Sequence, residues 1–287
     1  MPNPTPKVIL ITGTSSGFGF ITAVHLAAKG HHVYATMRDM RKKDFLISEA
    51  ANEKGKLKVL ELDVTKSATI STVIKTIASD HGYLDAVVNN AGYGLGGFFE
   101  DLTEEEIRQQ MEVNFFGVQN VSRAVIPLMR SRRKGRIINI SSIAGLNASP
   151  CFGAYNASKW ALEGFSESLH HELKLFNIDV CLIEPGTYKT KIFFDNAKYG
   201  KNFDDPSSPY FQMSQHLKKL VMEYVRKTDK DPRRIAFMVE QLIHQKSPRF
   251  RNFPDAETQF LLGLRRVMPF RIYAKIMQRV LYRDRII

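Results

Sequence analysis

Lys7-Val8-Ile9-Leu10-Ile11-Thr12-Gly13-Thr14-Ser15-Ser16-Gly17-Phe18-Gly19 decides the fold. The stretch to Ile11 is short, apolar and rich in β-branched residues, and Thr12-Gly13 closes it, so it reads as a buried strand. Gly13, Gly17 and Gly19 permit positive φ and let backbone approach a phosphate group, while Thr14, Ser15, Ser16 and Phe18 complete the turn. A helical pattern from Gly19 to Lys29 follows at once, offering its N-terminal N–H groups to an anion. A glycine cluster alone is as readily a plain tight turn. A strand before it and a helix behind it are the context that a pyrophosphate-binding fingerprint requires.

Working outward, short apolar strand patterns recur at His32 to Thr36, Lys58 to Leu62, Leu84 to Asn89, Arg136 to Ser141 and Ile178 to Ile183. Helical patterns lie between them at Thr69 to Ser79, Glu104 to Arg130 and Ala154 to Leu175, with Thr103 and Glu106 spaced as a capping box. Parallel strands need helical crossovers, so this succession predicts an α/β fold of the Rossmann type, a doubly wound parallel sheet. One catalytic domain is expected over residues 1–255, with a C-terminal helical extension at 256–287.

The chain has 287 residues, 44% hydrophobic and 24% charged, enough for a sizeable core and against disorder. The apolar run from Val8 stops at Gly13, too short for a signal peptide core or a membrane span, which leads us to expect a cytoplasmic protein. Cys151 and Cys181 are too few for a disulfide framework and read as reduced thiols. The eight histidines show no metal-ligand spacing, so no metal is expected. The net charge of +12 is concentrated late, with 15 Lys/Arg against 6 Asp/Glu between Arg226 and Ile287. No nucleic-acid motif accompanies it, and the basic run from Arg130 to Arg136 reads as a solvated loop between helix and strand.

The second strand ends at Met37-Arg38, where the fingerprint expects an acid for the ribose 2′-hydroxyl. Met37 cannot accept that bond. Arg38 suits a 2′-phosphate and Ser16 could add a hydroxyl, which favours NADP over NAD, the alternative being a solvated charge beside Arg41, Lys42 and Lys43. Tyr155 and Lys159 are four apart and share one helix face, where an ammonium would lower the phenol's pKa and make Tyr155 a general acid and base. Asn89-Asn90-Ala91-Gly92, Ser141-Ser142 and Pro185-Gly186 each end a strand, and carboxyl ends of strands in a doubly wound sheet open on one crevice. No G-x-S-x-G elbow surrounds Ser142, which argues against a hydrolase.

The glycine turn, N-N-A-G, Asn114, Ser142, Tyr155-x-x-x-Lys159 and Pro185-Gly186 occur in this order across residues 7 to 190, and so the chain resembles the short-chain dehydrogenase/reductase family. The resemblance implies a tetrad of Asn114, Ser142, Tyr155 and Lys159. In it Ser142 holds and polarises the substrate oxygen, Tyr155 exchanges a proton with it, and Lys159 binds the nicotinamide ribose and lowers the tyrosine pKa. Asn114 would support a proton relay through water, and reads otherwise as a buried amide stabilising a helix irregularity, which that role would itself require. It also implies Asp63 and Val64 near the adenine, Asn89 beside the cofactor ribose, Ala91 and Gly92 along the cofactor, and Thr190 near the carboxamide. Asp63 reads equally as a cap for the helix that follows. Val33 to Asp39 and the long end look closer to 17β-hydroxysteroid and retinol dehydrogenases, which implies a lipophilic ketone or alcohol as substrate.

Three expectations remain. Residues 187–224 carry Ile192, Phe193, Phe194, Tyr199, Phe211 and Met213 and read as a substrate lid, or as ordinary helix packing. The resemblance implies a homodimer or homotetramer formed through the two long helices. The tail interleaves Phe260, Leu261, Leu264, Val267, Ile272, Ile276 and Val280 with Arg265, Arg266, Arg271, Lys275 and Arg279, broken at Pro269. Its apolar face either packs on the domain or a second subunit, or meets an anionic membrane. The competing functional class is a non-catalytic NADP-binding sensor or docking protein, which would not need the tetrad.

Overall fold

The computed structural model describes residues 5–189 and 197–282. The deciding stretch forms β1 (Val8–Ile11) and opens α1 (Gly17–Ala28). Next come β2 (His32–Met37), α2 (Lys43–Ala50), β3 (Lys56–Glu61), α3 (Ser67–His81) and β4 (Ala86–Asn89). The short β5 (Leu95–Gly96) precedes α4 (Glu104–Met111), a π-helical segment Glu112–Phe116 and α5 (Gly117–Ser131). Then follow β6 (Gly135–Ile140), α6 (Gly153–Lys174) and β7 (Ile178–Ile183). After it lie β8 (Lys198–Tyr199), α7 (Phe211–Lys227), α8 (Arg233–His244), β9 (Arg251–Asn252), α9 (Ala256–Val267) and α10 (Phe270–Tyr282).

Seven strands make one sheet in the order β3-β2-β1-β4-β6-β7-β9, every pair parallel. Strand side chains alternate between faces, so Ile9 and Ile11 join Leu26, Leu46 and Val239 in one core, while Val8 and Leu10 join Ile77, Val121 and Leu173 in the other. Helices therefore cover both faces, as the continuous apolar strands required. The strand order reverses direction between β1 and β4, and the crevice beyond their carboxyl ends is where such sheets hold ligands.

Three differences from the sequence reading have local causes. The expected helix from Glu104 to Arg130 is two helices joined by the π-helical segment, inside which the Asn114 amide bonds both backbone groups of Tyr93. Its start does carry the capping box of Thr103 and Glu106. An unanticipated helix, α2, buries only Leu46 and Ala50, too little periodicity to stand out. Arg249 to Phe253 reads in the sequence as a last strand, and only Arg251–Asn252 of it pairs with the sheet. Ile192, Phe193 and Phe194 lie outside the described residues, while Tyr199 and Met213 pack with Cys151, Phe203 and Leu217 in a small separate core.

Candidate active site

A cleft of about 430 Å³ opens at the switch point. Its phosphate end is the glycine turn. Gly13 sits at φ +71°, and a Cβ there would come within 2.8 Å of the Ala91 Cα, so only glycine lets the two loops meet. Gly17, Ser15, Ser16 and Phe18 line the cleft, and Ser16 occupies the N-cap position of α1. Thr14 and Gly19 support this turn without lining it. Thr14 bonds the Thr36 carbonyl through both its amide (2.9 Å) and its hydroxyl (3.1 Å), and Gly19 leaves room for the Asn90 amide.

Asn90 Nδ2 donates to the carbonyls of Thr12 and Gly13, at 2.9 Å each, and so holds the turn from the next strand end. Its neighbour Asn89 is buried beneath the cleft and does not line it, with Nδ2 bonded to Asn139 Oδ1 (2.8 Å) and Ser122 Oγ (3.2 Å). At the adenosine end the wall includes Met37, Arg38, Asp39, Lys42, Asp63 and Val64. Asp39 is engaged by the Arg41 guanidinium at 2.8 and 3.0 Å, which holds its carboxyl below the usual range. Arg38 and Lys42 therefore dominate the charge there. Asp63 Oδ1 accepts from the Thr65 amide (3.0 Å) and hydroxyl (2.8 Å), a turn-forming role alongside its place in the wall.

The catalytic candidates converge at the other end. Ser142, Tyr155 and Lys159 line the cleft with Pro185 and Gly186. Ser142 Oγ accepts from the Ala144 amide at 3.1 Å. Burial raises the Tyr155 pKa, and the Ser142 hydroxyl opposes that shift. Lys159 Nζ donates to the Ile140 carbonyl (2.8 Å) and lies 5.9 Å from the Tyr155 ring centre. Burial lowers its pKa to about 8 against the pull of the Glu163 carboxylate, so it is mainly protonated at neutral pH. Burial and Ser142 are thus the influences on the tyrosine, where the sequence pointed to the lysine. Asn114 stands behind this wall, donating to Tyr93 O (2.9 Å) and Ser158 Oγ (3.2 Å) and accepting from Tyr93 N (3.1 Å). Thr190 lies outside the described residues.

Sequence reasoning missed the layer under the lysine. One turn beyond Lys159, Glu163 accepts from Ser141 and pairs with Arg251, which also meets Glu184 at 2.6 Å. Burial drives both carboxyls above their ordinary range while Arg251 opposes it. It also missed Tyr93 and Lys198, which line the cleft with the lysine ammonium 4.4 Å from the tyrosine ring centre. Only adjacency to Gly92 could have pointed to Tyr93. Among the described residues no group of His, Cys, Asp and Glu could hold a metal.

The cradle fits a dinucleotide: a glycine turn that admits no side chain, a helix N-terminus, and a cationic far wall. The family model of short chain dehydrogenases matches residues 7–198. A 3-ketodihydrosphingosine reductase of Bacteroides thetaiotaomicron is 42% identical over 250 residues, covering 86% of this chain and 87% of that protein. Human retinol dehydrogenase 8 is 42% identical over 190 residues, 65% of this chain and 60% of that protein. A metagenomic short-chain oxidoreductase solved with NADP superposes with a TM-score of 0.67 at 28% identity, over 86% of this chain and 95% of that one.

Proposed function

We propose that this chain, which belongs to the short-chain dehydrogenase family, is an NADP(H)-dependent oxidoreductase that interconverts a lipophilic ketone with a secondary alcohol, or an aldehyde with a primary one. The observation that carries the reading is convergence: Ser142, Tyr155 and Lys159 stand in one cleft with the glycine cradle and Arg38. Bound NADPH would supply the hydride. Ser142, whose oxygen accepts from the Ala144 amide, would donate its hydroxyl proton to the carbonyl oxygen. Tyr155 delivers a proton to that oxygen in reduction and removes it in oxidation. Lys159 holds positive charge near the phenol, and Asn114 fixes the Tyr93 backbone that lines the cleft.

Arg38 and Lys42 support NADP because a 2′-phosphate would find guanidinium and ammonium there and a carboxylate already engaged by Arg41. The two relatives, named for a ketodihydrosphingosine and for retinol, support a long apolar substrate. We further infer a reduced, cytoplasmic setting, in keeping with two free buried cysteines, and a homodimer or homotetramer through the long helices, where Phe116 and Trp160 are exposed. No helix among the described residues is long and apolar enough to cross a membrane.

The test is absorbance-monitored oxidation of NADPH and NADH against long-chain ketones, retinoids, steroids and small carbonyls. NADPH with a long apolar substrate is expected to win. Arg38→Ala should reduce the preference for NADPH over NADH by about one to two orders of magnitude, the worth of a charge-assisted bond. Binding of NADPH without turnover of any substrate would instead favour a cofactor sensor.

A further inference from the structure

We propose that α9 and α10 form a docking surface for an anionic membrane at the rim of the catalytic cleft. Both helices are turned the unusual way round. In α9 the buried residue is Thr258, whereas Phe260, Leu261, Leu264 and Val267 face outward, Phe260 at 69% exposure and Val267 at 77%. In α10, Phe270, Ile272 and Ile276 are likewise exposed. A soluble helix ordinarily does the reverse, and a contiguous exposed apolar stripe marks a contact surface.

This orientation is fastened by polar contacts, so it is not an accident of loose packing. Asp255 caps α9 through the Thr258 amide (2.9 Å), pairs with Lys230 (2.9 Å) and accepts from the Tyr188 hydroxyl (3.2 Å). Tyr188 and Gly186 both line the cleft, and a side chain at Gly186 would run into Thr258. In α10 the Tyr273 hydroxyl donates to Asn147, in the loop that follows Ser142. Arg265 lies over the Phe270 and Tyr273 rings and joins the helices. The pair is thus tied to two loops at the catalytic end of the cleft, those that follow Ser142 and Pro185, which are themselves joined by the Ile143 amide and the Pro185 carbonyl at 2.9 Å.

Charge selects the occupant. Between 256 and 279 the only acid is Glu257, against Arg265, Arg266, Arg271, Lys275 and Arg279. A two-fold interface between copies would set this cationic patch against itself. An anionic lipid surface complements it while accepting the apolar side chains, each basic residue near such a surface strengthening binding about fivefold. This rests on and deepens the reading of a lipophilic substrate, which would enter the cleft from the lipid in which it dissolves.

The test is co-sedimentation of the full chain with phosphatidylcholine vesicles, with and without phosphatidylglycerol, at low and high salt. Binding is expected only with phosphatidylglycerol and should weaken as salt rises. Arg266→Glu/Arg271→Glu should weaken it by well over tenfold, and Phe260→Ser/Val267→Ser by a similar factor, with unchanged melting temperatures since all four side chains are exposed. Failure of the unmodified chain to bind, or binding by both variants as tight as that of the unmodified chain, overturns the proposal. So does a dimer that the phenylalanine variant converts to monomer, which would assign the stripe to a second copy. The assay needs no turnover, so its failure leaves the oxidoreductase reading intact.

Discussion

Lys159 and Val267 violate the ordinary partition of side chains in opposite senses. The first is a cation 8% exposed on the cleft floor, the second an aliphatic side chain 77% exposed on the terminal helix pair. Each arrangement costs free energy that a protein selected for stability alone would not spend. The floor holds its charge with the Ile140 carbonyl and the Glu163 carboxylate, so its strain is internal and faces the cleft. The hairpin holds its apolar stripe outward with Asp255, Lys230 and Tyr273, so its strain faces solvent. Buried charge that lines a cavity points to chemistry, while exposed apolar surface points to contact.

The contrast breaks most readily at Tyr155. Tyr155→Phe keeps the ring and loses only the hydroxyl that would carry the proton. Turnover should fall by about 10²–10⁴-fold, with NADPH affinity changed little. Stopped-flow or steady-state rates together with cofactor titration check this. A variant retaining most of its rate would remove the floor's claim to chemistry.

Lys159→Met sharpens the comparison from the stability side. The folded-state pKa of about 8 lies below the ordinary 10.5, so between these values the unfolded chain holds a proton that the folded chain has released. The cost of burying the ammonium is therefore fully present below pH 8 and relieved as pH rises toward 10.5. Methionine removes that cost and loses the bond to Ile140. The variant, though inactive, should gain about 2 kcal/mol at neutral pH, with the advantage shrinking through that window. Denaturant melts across pH check it, and a destabilised variant at pH 7 would mean that the lysine's contacts outweigh its desolvation.

How far these regions could be read beforehand follows from the physics of each. The glycine turn and the Tyr155–Lys159 pair are local patterns whose spacing carries their geometry. The parallel sheet followed from apolar runs separated by helical ones. Arg251 meeting Glu163 and Glu184 was illegible, since the contacts join residues at least 67 apart whose individual positions look like ordinary surface charge. Asn89 and Asn90 were indistinguishable in sequence because alternation along β4 decides which one turns under the sheet. The π-helical break was legible only through Asn114, read as a buried amide at a helix irregularity, while its partner, the Tyr93 backbone 21 residues away, was not. In the tail the amphipathic pattern was plain, but periodicity does not say which face turns outward. Thr258 and Asp255 set that, and neither belongs to the stripe.

The smallest expected effect tests the hairpin's side of the contrast. Deleting the three outer carbons of a buried leucine loses transfer free energy and leaves a cavity, and the fully buried Leu26 of α1 should lose about 2–5 kcal/mol on Leu26→Ala. Val267→Ala removes methyls that already face water, so neither term applies and the change should stay within about 0.5 kcal/mol. Alanine is also the better helix former, which offsets part of any loss. Chemical denaturation of both variants, at protein concentrations low enough to disfavour association, gives the comparison. A cost above about 1 kcal/mol for Val267→Ala would mean that the side chain is covered in solution. If that cost grew with protein concentration, the cover would be a second copy of the chain.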